Sequence, residues 1–243
     1  MEPFKPVRQA RIAEEVEQQL RESILRGDYR PGGKLPSERE LCEQFQASRV
    51  VIREAIRSLE LKGFLTLKQG ASGGAFVQDL SLDFLSSAYL DLFLMQRISA
   101  GELMQVRRHI EPEVCRLASG MRTAADCRRL QEAYEQEHAE ALTHEEWVAR
   151  NLKIHRLLVD LSANRLYEAI LTPLLELTRE IVLVVKPAQR VIHEHEDHGR
   201  IIRAVVSGDA SGAADAMQAH LSRVGQSLTQ LEEAYRKKKG LAG

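Results

Sequence analysis

The amino-acid sequence predicts a mainly α-helical protein in two parts, an N-terminal winged helix-turn-helix and a C-terminal all-α antiparallel helical bundle. Three observations carry this expectation. Apolar residues recur at helical spacing over most of the chain. Strand signal is confined to residues 64–68 and 75–77, on either side of the glycines Gly70, Gly73 and Gly74. Composition changes near residue 78, which sets expected domains at 1–78 and 79–243.

Taken in order, Ile12, Val16, Leu20 and Ile24 repeat on one face of a first helix that Gly27 should stop. Ser37 and Glu40 have the spacing of a capping box and open a short second helix. Gln46 and Ala47 interrupt it, Ser48 can cap again, and residues 49–62 continue as a third helix with Ile52, Ala55, Ile56 and Leu59 facing inward. A short helix, a tight turn and a longer helix with arginines at its start is the pattern whose second helix lies in the major groove of duplex DNA. Arg49 and Arg53, four apart, project from one helix face, and an arginine fork matches the O6 and N7 of guanine. Residues 64–77 then form a two-stranded wing, with Lys68, Gln69 and Gly70 near its tip for phosphate or minor-groove contact. From spacing alone, a merely solvated face of Arg49, Arg53 and Arg57 is the competing reading.

Beyond residue 78, turn signals near 99–101, 123, 143, 163–164, 186–187 and 207–212 divide the chain into six or seven helices, with residues 80–98 supplying the first. His155 lies one turn after Asn151, and His198 and His220 fall on the apolar sides of two further helices. Three such histidines on antiparallel helices can converge on a metal in a bundle interior; separate structural roles are the alternative. His193, His195 and Asp197 are expected to be exposed.

The 243 residues carry a net charge of −1, and the first 78 hold 13 Lys and Arg against 11 Asp and Glu, so DNA binding rests on a few placed arginines and not on bulk charge. No apolar run reaches the ~20 residues of a membrane span, and a secretory leader is absent from the pattern, so a cytoplasmic protein without a membrane partner is expected. Cys42, Cys115 and Cys127 are too scattered for a disulfide framework or metal knuckle and read as reduced, mostly buried thiols. No HExxH pair occurs, which argues against a metal-dependent hydrolase.

The run Gly27-Asp-Tyr-Arg-Pro31-Gly32, then 35–41 (LPSEREL), then 47–55 (ASRVVIREA), then Leu59 and Gly63, resembles the N-terminal signature of the GntR family of bacterial repressors. The resemblance implies DNA contacts at Arg39, Arg49 and Arg53, helped by Ser48, Val50, Val51, Gln69 and Gly70. Val50 and Val51 depart from the threonines of some members, which removes hydroxyl contacts there but leaves methyls for a thymine.

The stretches 106–111 with Ala118, 151–155, 198–204 with Gly208 and Asp209, and 216–221 resemble the all-helical FCD domain of the FadR-like branch. That resemblance implies a divalent ion, zinc or nickel, held by Asn151, His155, His198 and His220. Arg107 matches a pocket arginine that pairs with a carboxylate effector, its competing role being a surface ion pair. It also implies a homodimer on a palindromic operator, released by a small organic acid. An acyl-CoA sensor with structural histidines is the second reading.

Overall fold

The computed structural model describes residues 9–70, 73–79, 82–140, 143–187 and 196–241, in two compact units that divide between Phe84 and Leu85. The first unit holds α1 (Gln9–Arg26), α2 (Glu38–Phe45), α3 (Arg49–Leu61), β1 (Leu65–Lys68) and β2 (Gly74–Val77). Ala13, Val16 and Leu20 of α1 pack with Leu41, Ile52, Ile56, Leu59 and Val77 in one core. The expected stripe shifts at its start, because Ala13 is buried while Ile12 is 49% exposed.

The Ser37 hydroxyl accepts the Glu40 N–H and the Glu40 carboxylate accepts the Ser37 N–H, so the capping box that opens α2 is formed in full. Gln46, left-handed at φ 51°, turns the chain out of α2, and the Ser48 hydroxyl accepts the Val51 N–H to start α3. The two strands pair antiparallel, Leu65 opposite Val77 and Lys68 opposite Gly74. Gly74 has φ +141°, a backbone conformation that favours glycine, and a Cβ there would displace the end of the Lys34 side chain.

The second unit contains α4 (Asp83–Leu94) from its third residue on, α5 (Ala100–Met121), α6 (Ala124–His138), α7 (His144–Leu161), α8 (Arg165–Val185), α9 (Asp197–Ser207) and α10 (Ala210–Lys238). Seven helices among the described residues fall at the upper end of the expectation. The anticipated breaks are caps: Ser99, Thr123, Thr143 and Asn164 each accept a first-turn N–H through the side chain, and Gly208, at φ +83°, ends α9. The long α5 and α10 make the most extensive packing, with Gly225 letting α10 approach Met104. Around them Leu103, Ile154, Leu158, Leu171, Ile201 and Leu221 build one large core.

Among the described residues no helix is long and apolar enough to cross a membrane. Of the three free thiols only Cys115 is fully buried, while Cys42 and Cys127 are half-buried, less covered than expected.

Candidate functional site

Asn151 and His155 lie on α7, within a buried stripe that includes Val148, Leu152 and Leu158. His198 occupies the first turn of α9, and His220 lies on α10 between Met217 and Leu221. Helix packing brings these three histidines together although 43 and 22 residues separate consecutive members. All three are buried, one ring nitrogen from each lies within 4.8 Å of the others, and His155 Nε2 is 3.2 Å from His198 Nε2.

A carboxylate stands behind each imidazole. His155 Nδ1 donates to Glu111 on α5 at 2.5 Å, and His198 Nδ1 donates to Glu137 on α6 at 2.7 Å. His220 Nδ1 faces Asp197, the first residue of α9, at 3.4 Å. A carboxylate only accepts, so the ring proton belongs on Nδ1 and the lone pair on Nε2. Burial pushes the His155 imidazole down to about 4, against the pull of Glu111, so it is neutral at physiological pH. Glu111 keeps its charge despite burial, since Arg107 and His155 hold its carboxyl well below the usual range.

The Nε2 atoms of His155 and His198 face one another across 3.2 Å, and a divalent ion of the zinc or nickel type accepts lone pairs from imidazole nitrogens so placed. Asn151 lines the same cavity wall as His155 and His220, and its buried Nδ2 has no hydrogen-bond partner among the described residues. Side-chain amides are assigned as to O and N, so this is an unsatisfied polar position facing a binding space. The residues present fit a metal ion: three histidines as ligands and Asn151 as a polar neighbour.

Arg107 is 1% exposed, which rules out the surface ion pair. Its Nε donates to Glu111 at 2.5 Å and its Nη1 to the Thr178 hydroxyl at 3.1 Å, while Nη2 makes no hydrogen bond among the described residues. Arg107, Asn151, His155, Thr178, Arg179 and His220 form the polar side of a cavity whose apolar side is Trp147, Val148, Leu152, Val182 and Val224. The space open to the centres of water-sized spheres is about 30 Å³, enough for about two waters.

In the first unit, Arg49 opens α3 and is exposed, with no ion pair among the described residues. Arg53, one turn on, donates through Nε to both Glu38 oxygens at 3.0 and 2.8 Å, and its Nη nitrogens make no hydrogen bond among the described residues. Arg39 is exposed and 3.6 Å from Glu43. Ser48 is spent on its cap, and Gln69 and Gly70 are exposed at the end of β1, Gly70 with φ +102°. The two valines part company. Val50 is 66% exposed, but Val51 is 3% exposed and belongs to the core, so the expectation of a Val51 methyl at a base is corrected.

Residues 12–77 match the model of bacterial regulatory proteins of the gntR family, and residues 102–223 match that of the FCD domain. The chain belongs to the GntR family of regulators, with an FCD domain. It is a DNA-binding transcriptional regulator and not an enzyme. It is 33% identical over 210 residues to the HTH-type transcriptional regulator LutR of Bacillus subtilis, covering 83% of this chain and 94% of that protein. It is 28% identical over 228 residues to the HTH-type transcriptional repressor NanR of Klebsiella aerogenes, covering 90% and 86%. A GntR structure from Streptococcus agalactiae superposes with a TM-score of 0.68 at 25% identity, covering 88% of this chain and 99% of that one.

In this regulator, sequence spacing brought out the three histidines but passed over their partners. Glu111 and Glu137 were not singled out, and Asp197, expected to be exposed, is 1% exposed and engaged by His220, Arg200 and Arg223. His193 and His195 lie outside the described residues. An acid on an apolar helix face is the signal that was available, as Glu111 shares its face of α5 with Val114, Cys115 and Ala118.

Proposed function

We propose that this regulator is a homodimeric, cytoplasmic repressor that reads a palindromic operator and leaves it when a small carboxylate binds beside a metal ion in the helical unit. The observation that carries this reading is the convergence of three buried, carboxylate-backed histidines, two of which, His155 and His220, line a small cavity that also presents Arg107. A divalent ion bound there, zinc or nickel, would offer a Lewis-acidic position to the ligand's carboxylate. Around it, His155, His198 and His220 hold the ion, Asn151 adds a polar contact, and Arg107 gives the ligand a charged hydrogen bond through Nη2. The apolar wall from Trp147 to Val224 suits a short aliphatic chain.

DNA is read by Arg49 and Arg53 at base edges, with Arg39, Ser48, Val50, Gln69 and Gly70 placing the duplex. Repression accords with the NanR relative, which is a transcriptional repressor. Release requires that the carboxylate bind the DNA-bound and free conformations unequally.

Gel shifts on the DNA upstream of the regulator's own gene test both halves. A salt-sensitive complex is expected, lost in Arg49→Ala and dissociated by one member of a panel of two- to four-carbon hydroxy and keto acids added with zinc. Sequence-specific binding that survives Arg49→Ala would overturn the recognition surface. Release by an acyl-CoA and by no short acid would overturn the ligand class.

A further inference from the structure

The three histidines are ordered by a shell of charge that is complete without any ligand. Glu111, Glu137 and Asp197 come from α5, α6 and α9, so each imidazole is gripped from behind by a different or differently placed helix. Each acid is tied down or enclosed in turn. Glu111 accepts from Arg107, Asp197 accepts from Arg223 and from Arg200 at 3.3 Å, and Glu137 is buried beside His198. His220 and Arg223, three apart on α10, reach the same Asp197, which places the turn carrying His220 against the start of α9.

A histidine in water carries its single ring proton on either nitrogen, with Nε2 favoured; a carboxylate at Nδ1 reverses that preference. We propose that Glu111, Glu137 and Asp197 are positioning residues that lock His155, His198 and His220 as Nδ1–H tautomers and so make their Nε2 atoms the metal-binding nitrogens before any ion arrives. The proposal rests on the metal reading above and adds its origin: the receptor is preformed by the packing of the helical unit. Glu111 faces Arg107 and Asp197 faces both Arg200 and Arg223, so three guanidiniums stand against the three acids and a divalent ion adds uncompensated positive charge to a buried site. That charge is what an anionic ligand would neutralise, with Arg107 already engaged by Glu111 and Thr178.

The test uses the full-length protein, stripped of metal by EDTA and labelled with ¹⁵N. Long-range ¹H–¹⁵N correlation should show three imidazoles protonated at Nδ1 and bare at Nε2. In Glu137→Leu the His198 pattern should revert toward Nε2–H, and in Glu137→Gln, whose amide oxygen still accepts, it should persist. Zinc affinity, read by competition with a chromogenic chelator, should fall on the order of tenfold to a hundredfold in Glu137→Leu and by less in Glu137→Gln. The wild-type tautomers need no variant, and any of the three imidazoles protonated at Nε2 overturns the proposal. Zinc bound equally by wild type and a folded Glu137→Leu overturns the positioning role alone. Wild type with the three expected tautomers but no zinc binding overturns the metal reading, and the proposal with it.

Discussion

Arg53 shows how a single side chain can be prepared for DNA. Glu38 takes its Nε and leaves both Nη nitrogens, so the guanidinium is held while its outer edge stays free for a guanine. Glu38→Ala should free the side chain and cost operator affinity about 1 kcal/mol, the ordering cost of one long side chain on binding. Removing the acid also removes a repulsion from phosphate, so binding to unrelated DNA should strengthen. Fluorescence anisotropy on operator and random duplexes therefore predicts a reduced ratio of the two affinities; an unchanged ratio would mean that Glu38 does not orient Arg53. Arg49 and Arg53 were legible in the sequence because a helix start and a four-residue spacing suffice to find them. Val51 was misjudged because adjacent residues on α3 diverge by about 100° around the helix axis, and only the packed core decides which of the two valines faces out. Glu111, Glu137 and Asp197 were missed for a different reason: each meets its histidine across 44, 61 and 23 residues of chain, a separation that no local pattern encodes.

Helix ends were more legible than side-chain partners, because a cap is decided by residues three apart. Ser37, Ser99 and Thr123 form full capping boxes with Glu40, Glu102 and Asp126. Pro112 inside α5 and Pro173 inside α8 run against the local rule, each deleting a backbone hydrogen bond, and burial in the core of the helical unit offsets the loss. Ser37→Ala should destabilise the start of α2 by about 1 kcal/mol, read as faster amide exchange at Leu41 and Cys42 in the full-length protein. Hydrogen bonds from the Ser37 hydroxyl and backbone N–H hold the Glu40 carboxyl below its ordinary value. Its folded value being depressed, the stabilisation is present above the unfolded value near 4.5 and is lost as pH falls through the folded one. Protection factors at α2, which discount the intrinsic slowing of amide exchange in acid, should thus fall on acidification in wild type, and Glu40→Gln should lose that dependence; an identical pH response in the variant would place the titration elsewhere.

For the whole molecule, the two units have separate cores, and a ligand that binds only one of them acts first on that one's stability. Zinc held by His155, His198 and His220 ties α7, α9 and α10 together, three helices that unfolding must separate. With free zinc at a hundredfold excess over its dissociation constant, the helical unit should gain about 2.7 kcal/mol. The core around Leu41, Ile52 and Leu59 should gain nothing directly, so hydrogen exchange should slow in α7, α9 and α10 and stay unchanged in α2 and α3. His155→Ala together with His198→Ala leaves one of three imidazoles, and elemental analysis of the purified variant should show the metal lost. The relevant comparison is the zinc-induced change in each protein, because opening cavities in a buried cluster lowers stability in its own right. A variant that gains as much as wild type would show that zinc binds elsewhere. Equal slowing in α2 and α3 of wild type would instead show that the ion couples the two cores, the property a DNA-bound repressor needs if its ligand is to release it.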